Sequence, residues 1–229
     1  MKPGQGAPNL HASVEAAGPA IDLCTGPAPR DVVRERLLVW LAEGAREVTW
    51  ALCSLPREHW AAPPPLHIGD WPALRHVRHL ALHQSQQLLP AVRRALGEAA
   101  DEAPIMTAAE LDQADAAWDA ATAVESAETI VRDLGEARFE LLQRLESAPD
   151  DVWQRPLDAS VATALHQDPP VELDWVLLSA RQQELHHLAA IWRLALNWGR
   201  VSRERELDLE KGRSPGVPLH PADRLEESH

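Results

Sequence analysis

The chain has 229 residues, with 22 Lys and Arg against 35 Asp and Glu, which gives a formal net charge of −13. This excess of negative charge argues against nucleic-acid partners, because phosphate binding needs clustered positive charge. Nine tryptophans, one phenylalanine and no tyrosine accompany eleven histidines, so tyrosine chemistry is excluded and histidine chemistry is favoured.

The sequence lacks the signals of membrane and secreted proteins. No apolar run reaches the roughly 18 residues of a membrane span, and the N-terminus has no continuous apolar stretch of the secretory kind. Cys24 and Cys53 are too few for a disulfide framework or a four-thiolate metal site. We therefore expect a cytoplasmic protein that has neither nucleic acid nor a membrane as its partner.

The chain divides into a leader, a helical core and a tail. Residues 1–27 are rich in Gly, Pro and Ala without a sustained period, which predicts a flexible leader. Residues 28–199 carry four helical patterns and form one predicted domain. Residues 200–229 are charged and contain several prolines, which is typical of a flexible tail.

Two helical patterns precede the middle of the chain. Helix one begins near Asp31, and its apolar period continues without a proline until Pro56. Helix two begins near Trp71 and ends at Gly97, with a kink expected at Pro90.

A long connection and two further helices complete the predicted fold. The acidic, alanine-rich stretch 98–121 predicts a crossover that contains at most a short helix. Helix three covers residues 124–145, and helix four covers residues 171–198, with Gly199 as its expected stop. With no strand pattern, the sequence predicts an all-α four-helix bundle with a long crossover between helices two and three.

Helix two carries three histidines on one side. His76, His79 and His83 have helical spacing, and the last two are four residues apart, so that two imidazoles could share a ligand. This side lies roughly 130–170° from the apolar stripe of the helix, at 100° per residue. Taken alone, the pattern predicts an exposed histidine face.

Helix four places two ionisable groups toward the core. Glu184 and His187 fall inside or beside its apolar arc, and burial without partners is costly. Each could pair with the other, with a third polar side chain, with water or with a cation. The Glu-x-x-His spacing is one by which bundle proteins project metal ligands inward. The simpler alternative is a buried Glu184–His187 ion pair that fixes the helix register.

Three stretches resemble the DinB/YfiT-like superfamily of bacterial four-helix proteins, over about residues 30–199. They are Gly69-Asp70-Trp71 followed by His79-Leu80-Ala81, then Ala117-Trp118, and finally His186-His187-Leu188. The resemblance implies a divalent metal, nickel or zinc, held by one histidine of helix two and an H-x-x-x-H pair on the last helix. By position, the ligands are His79, Gln183 and His187. Gln183 departs from the pattern, since glutamine is a weak neutral ligand.

The resemblance also implies a class of reactions on small-molecule substrates. A metal-activated water or low-molecular-weight thiol would act as nucleophile, as in a hydrolase or a thiol-dependent S-transferase. Glu184 would serve as general base or as a substitute ligand, and His83 would shuttle protons. A homodimer is expected, as in relatives.

The competing hypothesis is a binding or structural module. In this case the bundle keeps its fold, has lost its metal with the ligand at Gln183, and uses a pocket or helix face for association in the response to stress or DNA damage. The nine tryptophans would supply material for an interface. A haem or flavin protein has little support, because no Gly-rich phosphate-binding turn follows a strand.

Overall fold

The structure is a computed structural model, and it describes residues 30–65, 71–98, 104–118, 122–123, 126–165 and 170–211. The predicted leader, Asp70 and the end of the predicted tail lie outside these residues. Within them the regular structure is helical, apart from one isolated bridge between Pro156 and Glu172, which confirms the all-α class. No helix in this part of the chain is long and apolar enough to cross a membrane.

The α-helices of the described ranges are α1 (Arg30–Cys53), α2 (Ala73–His83), α3 (Leu89–Ala95), α4 (Ala108–Ala116), α5 (Ala127–Ser147), α6 (Ala159–Ala164) and α7 (Leu173–Glu210). A π-helical turn, Gln84–Leu88, joins α2 to α3 into one rod. Short 3₁₀-helices lie at Arg57–His59 and Asp150–Gln154.

The first and last long helices run parallel, side by side. Gly44 of α1 lies against Glu184 of α7, and further along both helices Trp50 contacts Trp192. Two helices that run in the same direction require an even number of chain reversals between them, and the segments between α1 and α7 supply these reversals.

The α2–α3 rod and α5 also run parallel. Arg138 binds Gln84 near the middle of both segments, and Arg144 binds Glu98 at their far end. Since α3 ends where α5 is near its own C-terminus, the chain must return along the rod before α5 begins. Helix α4 lies on this return path, with Thr107 and Glu110 forming a capping box at its start.

The apolar core consists of two clusters separated by a buried polar layer. On α7, for example, Ala180 belongs to one cluster and Ile191 to the other. Between them lies Glu184, which is 2% exposed, beside Arg138 of α5 and Gln84 of the π-helical turn. We refer to Arg138, Glu184 and Gln84 as the buried polar layer.

Arg138 holds this layer together. Its Nη2 donates to Glu184 Oε2 at 2.6 Å, its Nε donates to Gln84 Oε1 at 2.8 Å, and its Nη1 donates to the Leu41 carbonyl of α1. Arg181 Nη1 donates to the second oxygen of Glu184 at 2.9 Å. Glu184 thus pairs with two arginine side chains. Pairing with a third polar side chain was one of the alternatives that the sequence left open.

A kink is expected at Pro90, and the structure has a π-helical turn just before this proline. Proline has no N–H and its ring crowds the carbonyl four residues earlier, here that of Gln86. The Gln86 carbonyl instead accepts a hydrogen bond from the Met106 backbone N–H at 3.0 Å. The crossover therefore satisfies the backbone group that Pro90 leaves unpaired.

The two predicted glycine stops have different outcomes. Gly97 adopts a φ of 74°, and the N–H of Glu98 caps the Arg93 carbonyl, which confirms the first helix end. The predicted end at Gly199 is wrong, because α7 continues through it to Glu210. A glycine ends a helix only when it takes the left-handed conformation, and in mid-helix it costs no more than about 1 kcal/mol relative to alanine.

The close approach at Gly44 gives a first testable prediction. A methyl group there would overlap the Glu184 carboxylate and crowd the Arg181 guanidinium. We expect Gly44→Ala to lower the free energy of unfolding by roughly 1–3 kcal/mol, measured by urea denaturation. Gly135→Ala is the matched control on α5, where a Cβ meets open space; it should stabilise the protein by about 0.5–1 kcal/mol. Equal effects of the two substitutions on the free energy of unfolding would contradict the close packing of α7 against Gly44.

The buried polar layer gives a second prediction. Arg138→Met leaves Glu184 with half of its partners, and we expect the free energy of unfolding to fall by about 3–5 kcal/mol. The control Arg132→Met removes an exposed guanidinium from the same helix, and it should cost less than about 1 kcal/mol. The double variant Arg138→Met/Glu184→Met should be more stable than Arg138→Met alone. If the double variant were less stable than Arg138→Met, the unpaired Glu184 charge would not be the main cause of the lost stability.

Candidate functional site

Three histidine rings meet where α2 and α7 pack together. His76 Nδ1 and His187 Nδ1 are 2.9 Å apart and share a hydrogen bond. The ring centroids of His79 and His187 are 4.6 Å apart, and Trp71 lies 5.4 Å from both His76 and His79. We refer to His76, His79 and His187 as the histidine cluster.

The predicted exposed histidine face is wrong for this part of α2. The rotation away from the apolar stripe is real, but α4 and α7 pack against that side of the helix. The His79 side chain is 13% exposed, and His187 is 9% exposed. A pattern within one helix could not show that a later segment covers it.

Asp115 of α4 fixes the orientation of His79. Its carboxylate, which is buried, accepts a hydrogen bond from His79 Nδ1 and lies 3.5 Å from the Arg78 guanidinium. Arg75 donates to the Asp115 carbonyl at 2.8 Å and stacks on Trp71. Because the carboxylate accepts from Nδ1, Nε2 is the ring nitrogen of His79 that is left for another partner.

The environment keeps two rings of the cluster, His76 and His187, uncharged. Burial, with a smaller contribution from His79, lowers the pKa of His76 to about 4. The same causes in the same order lower the pKa of His187 to about 3. Both imidazoles are therefore neutral at pH 7, which is the form that binds a metal ion or accepts a proton.

A cavity of about 220 Å³ lies beside the cluster and brings together three residues predicted from the sequence. His79, His83 and Gln183 all line it. Burial lowers the pKa of His83 to about 4, with His79 and Arg138 as smaller causes. The remaining lining is mostly aliphatic, with a few polar groups, and consists of Gln87, Leu88, Ala108, Leu111, Asp112, Leu165, Val176, Ser179 and Ala180. The cavity has room for roughly seven waters at about 30 Å³ each, and so for a small organic molecule.

Glu184 occupies a different place from the other predicted site residues. It faces the interior as expected, yet both carboxylate oxygens accept hydrogen bonds from arginines of the buried polar layer and α7. Its predicted roles as general base or substitute ligand stay predictions. The structure gives it an additional role, which is to join α7 to α5.

The donor chemistry of the histidine cluster suits a divalent metal. Zinc and nickel in proteins commonly bind imidazoles, and a metal-binding ring commonly has a carboxylate behind it, as His79 has here. As the side chains stand, however, no set of three or more His, Cys, Asp or Glu among the described residues is placed to hold a metal ion. His76 and His187 bond to each other, so metal binding requires that hydrogen bond to open.

His76 as a ligand and Asp115 as a partner lie outside the predicted set of site residues. His76 precedes His79 by three residues, which is a spacing that brings two rings to one side of a helix. The same spacing fits an exposed histidine face, so it does not by itself identify a ligand. Asp115 had no signal, because its position depends on how the crossover packs.

Comparisons with known proteins add no match: no family model, curated protein or solved structure resembles this chain. The resemblance to the DinB/YfiT-like superfamily therefore stays a prediction that rests on the residues quoted for it.

The lowered pKa values give a third prediction, which concerns stability against pH. In the unfolded chain these histidines titrate near 6.5, whereas in the folded chain they titrate near 3 to 4. Between those limits the unfolded state binds more protons, so stability is complete above about pH 7 and falls as the pH drops toward 4. Each histidine contributes up to about 1.4 kcal/mol per pH unit.

Urea denaturation at pH 7.5, 6.0 and 5.0, with a chelator present, measures this dependence. His76→Gln and His83→Gln should each flatten the decline relative to the unmodified protein. A urea midpoint that stays constant from pH 7.5 to 5.0 would show that these histidines are protonated in the folded state.

Proposed function

We propose that the chain is a four-helix bundle of the DinB/YfiT type and that its histidine cluster is the divalent-metal site of an enzyme that acts on a small molecule. The observation that supports this best is the pairing of Asp115 with His79 Nδ1 beside two further neutral imidazoles. A buried carboxylate behind a histidine is the usual way in which proteins orient a metal-binding ring.

The proposal differs from the family pattern in one ligand. By resemblance the third ligand falls on Gln183, whereas the cluster offers His76. Imidazole binds nickel and zinc more strongly than a neutral amide does. We therefore assign His76, His79 and His187 as the ligands, and Gln183, which is exposed and lines the cavity, as a polar contact for the substrate.

When bound, a nickel or zinc ion supplies a water or low-molecular-weight thiol whose pKa is low enough to act as a nucleophile near neutral pH. The side chains of the protein provide the other groups that the reaction needs. His83 lines the same cavity in its neutral form and can accept the proton of the nucleophile, as predicted from the sequence. We assign this role to His83 rather than Glu184, since the oxygens of Glu184 already hold two guanidinium groups.

The aliphatic lining of the cavity favours the apolar part of a small substrate, and Gln87 and Ser179 offer hydrogen bonds to a polar part. A cytoplasmic location, where small thiols are kept reduced, fits a thiol-dependent transfer. Hydrolysis and S-transfer both remain within the proposal.

The fourth prediction tests the ligand set by elemental analysis of untagged protein purified without chelator. We expect near-stoichiometric nickel or zinc, lost in His76→Ala, His79→Ala and His187→Ala because each removes one of three ligands. Asp115→Asn should weaken the metal affinity by about 10–100-fold. His186→Ala, an exposed neighbour of His187, is the matched control and should keep the metal.

Gln183→Ala separates the two ligand sets. Metal retained in Gln183→Ala but lost in His76→Ala supports the histidine cluster. The reverse result supports the set implied by the resemblance. Absence of metal in the unmodified protein, even after reconstitution with nickel and zinc salts, would contradict the proposed enzyme.

A metal-free binding module is the second candidate, and one specific observation favours it. The hydrogen bond between His76 Nδ1 and His187 Nδ1 gives each of these two atoms a partner without a cation. In that case a helix face binds a partner, and the stress- or damage-related role predicted from the sequence applies. This candidate predicts that reconstitution with nickel and zinc salts leaves the protein without bound metal. It also predicts that His79→Ala leaves partner binding intact.

A further inference from the structure

Helix α4 forms one wall of the cavity beside the histidine cluster. Ala108, Leu111 and Asp112 of α4 line this cavity together with residues of α2 and α7. Among the lining residues, Asp112 of α4 and Gln183 of α7 are exposed, which places the mouth of the cavity between these two helices. A molecule that enters the cavity therefore passes along the edge of α4.

Apolar packing contributes little to the position of α4. Its buried side chains are Leu111 and Asp115. Leu111 is 4% exposed, yet it belongs to neither apolar cluster of the described residues and lines the cavity instead. The shorter α6, by contrast, contributes three buried residues to one cluster. Since a nine-residue helix is marginal in water on its own, the position of α4 depends on polar contacts.

Two arginines of α2 bind the last turn of α4. Arg75 Nη2 donates to the Asp115 carbonyl at 2.8 Å, and Arg78 Nη1 donates to the Ala114 carbonyl at 3.0 Å. The carbonyls at the C-terminus of a helix carry partial negative charge, which a guanidinium stabilises. We refer to Arg75 and Arg78 as the arginine pair.

The segments on both sides of α4 pack on the core. Ile105, which is 5% exposed, belongs to the first apolar cluster, and Trp118 packs against the second. The Met106 N–H donates to the Gln86 carbonyl at 3.0 Å, and its own carbonyl accepts from Gln87 Nε2 at 2.9 Å. Residues 107–117 thus lie between two anchored positions, and polar contacts hold them against α2.

The same segment carries the carboxylate that orients His79. Asp115 accepts a hydrogen bond from His79 Nδ1 and lies 3.5 Å from the Arg78 guanidinium. If α4 moves away from α2, Asp115 leaves both partners. The position of α4 therefore determines whether His79 has its orienting carboxylate.

We propose that α4 is a lid of the cavity, which opens between Ile105 and Trp118 when the arginine pair releases its last turn. Opening widens the mouth for a small molecule, and closing returns Asp115 to His79. A closed lid separates a reaction in the cavity from water. The link between the lid and a metal ion rests on the proposed function, whereas the opening of the lid does not.

Thiol labelling without metal tests the lid. After both native cysteines are replaced by serine, Ala180→Cys places a thiol in the cavity wall, and Ala91→Cys places one in the core away from the cavity. We expect Arg75→Met/Arg78→Met to speed the reaction of N-ethylmaleimide with the cavity thiol at least about 10-fold. The reason is that hydrogen bonds to charged groups are lost, so α4 opens locally more often. The core thiol should react at an unchanged rate.

Arg132→Met, which removes an exposed guanidinium from α5, is the matched control and should change neither rate. Equal acceleration at the two thiols would show that the arginine variants open the whole fold. An unchanged rate at the cavity thiol would show that α4 does not restrict access. Either result would overturn the lid.

Hydrogen exchange of the α4 amides, measured by mass spectrometry, tests the link to His79. Because coupling is reciprocal, a lid that strengthens metal binding must itself be stabilised by bound metal. We expect excess nickel or zinc chloride to slow exchange in α4 about 10–100-fold, which is the usual effect of an orienting carboxylate on metal affinity. Asp115→Asn should abolish this slowing.

The two measurements separate the lid from the proposed function. Bound metal that leaves exchange in α4 unchanged would overturn the link to His79. A protein that binds no metal would contradict the proposed function, and with it the link, but not the lid. The lid itself is decided by the thiol labelling, which uses the full chain without metal.

Discussion

The rest of the structure depends on one buried guanidinium. Arg138 joins α5 to the Leu41 carbonyl of α1, to Gln84 of the π-helical turn and to Glu184 of α7. A buried ion pair contributes less to stability than its Coulomb attraction suggests, but it tolerates few alternative registers. Gln84 follows His83 directly, and Glu184 precedes His187 by three residues. The same contact that sets the register of the core therefore sets the relative positions of the histidines.

Apolar periodicity predicted the helices well, because each long helix packs one continuous side against its neighbours. The beginning of α1, the end of α3 at Gly97 and a short helix in the crossover could all be predicted from local signals. The continuation of α7 through Gly199 could not, since glycine only permits a helix end and does not require one. Whether the helix continues depends on neighbours that the sequence of this segment does not reveal.

The candidate site was predictable in part. His79, His83 and Gln183 line one cavity, as the helical spacing and the resemblance together suggested. The partner of Glu184 and the burial of His76 were not predictable, because both depend on segments remote in sequence. Arg138 is 46 residues from Glu184, and Asp115 is 36 residues from His79. The pattern of one helix shows which of its ionisable groups face the core, but not which residues of other segments contact them.

A single helix links the core and the candidate site. One side of α7 carries Glu184 toward Arg138, and the next carries His187 toward α2. The core accounts for only the first part of the helix, since buried residues end at Leu194. The helix nevertheless continues to Glu210. Helix formation is cooperative, with a costly first turn and cheap elongation, so these last turns depend on the packed part of α7 that precedes them rather than on contacts of their own.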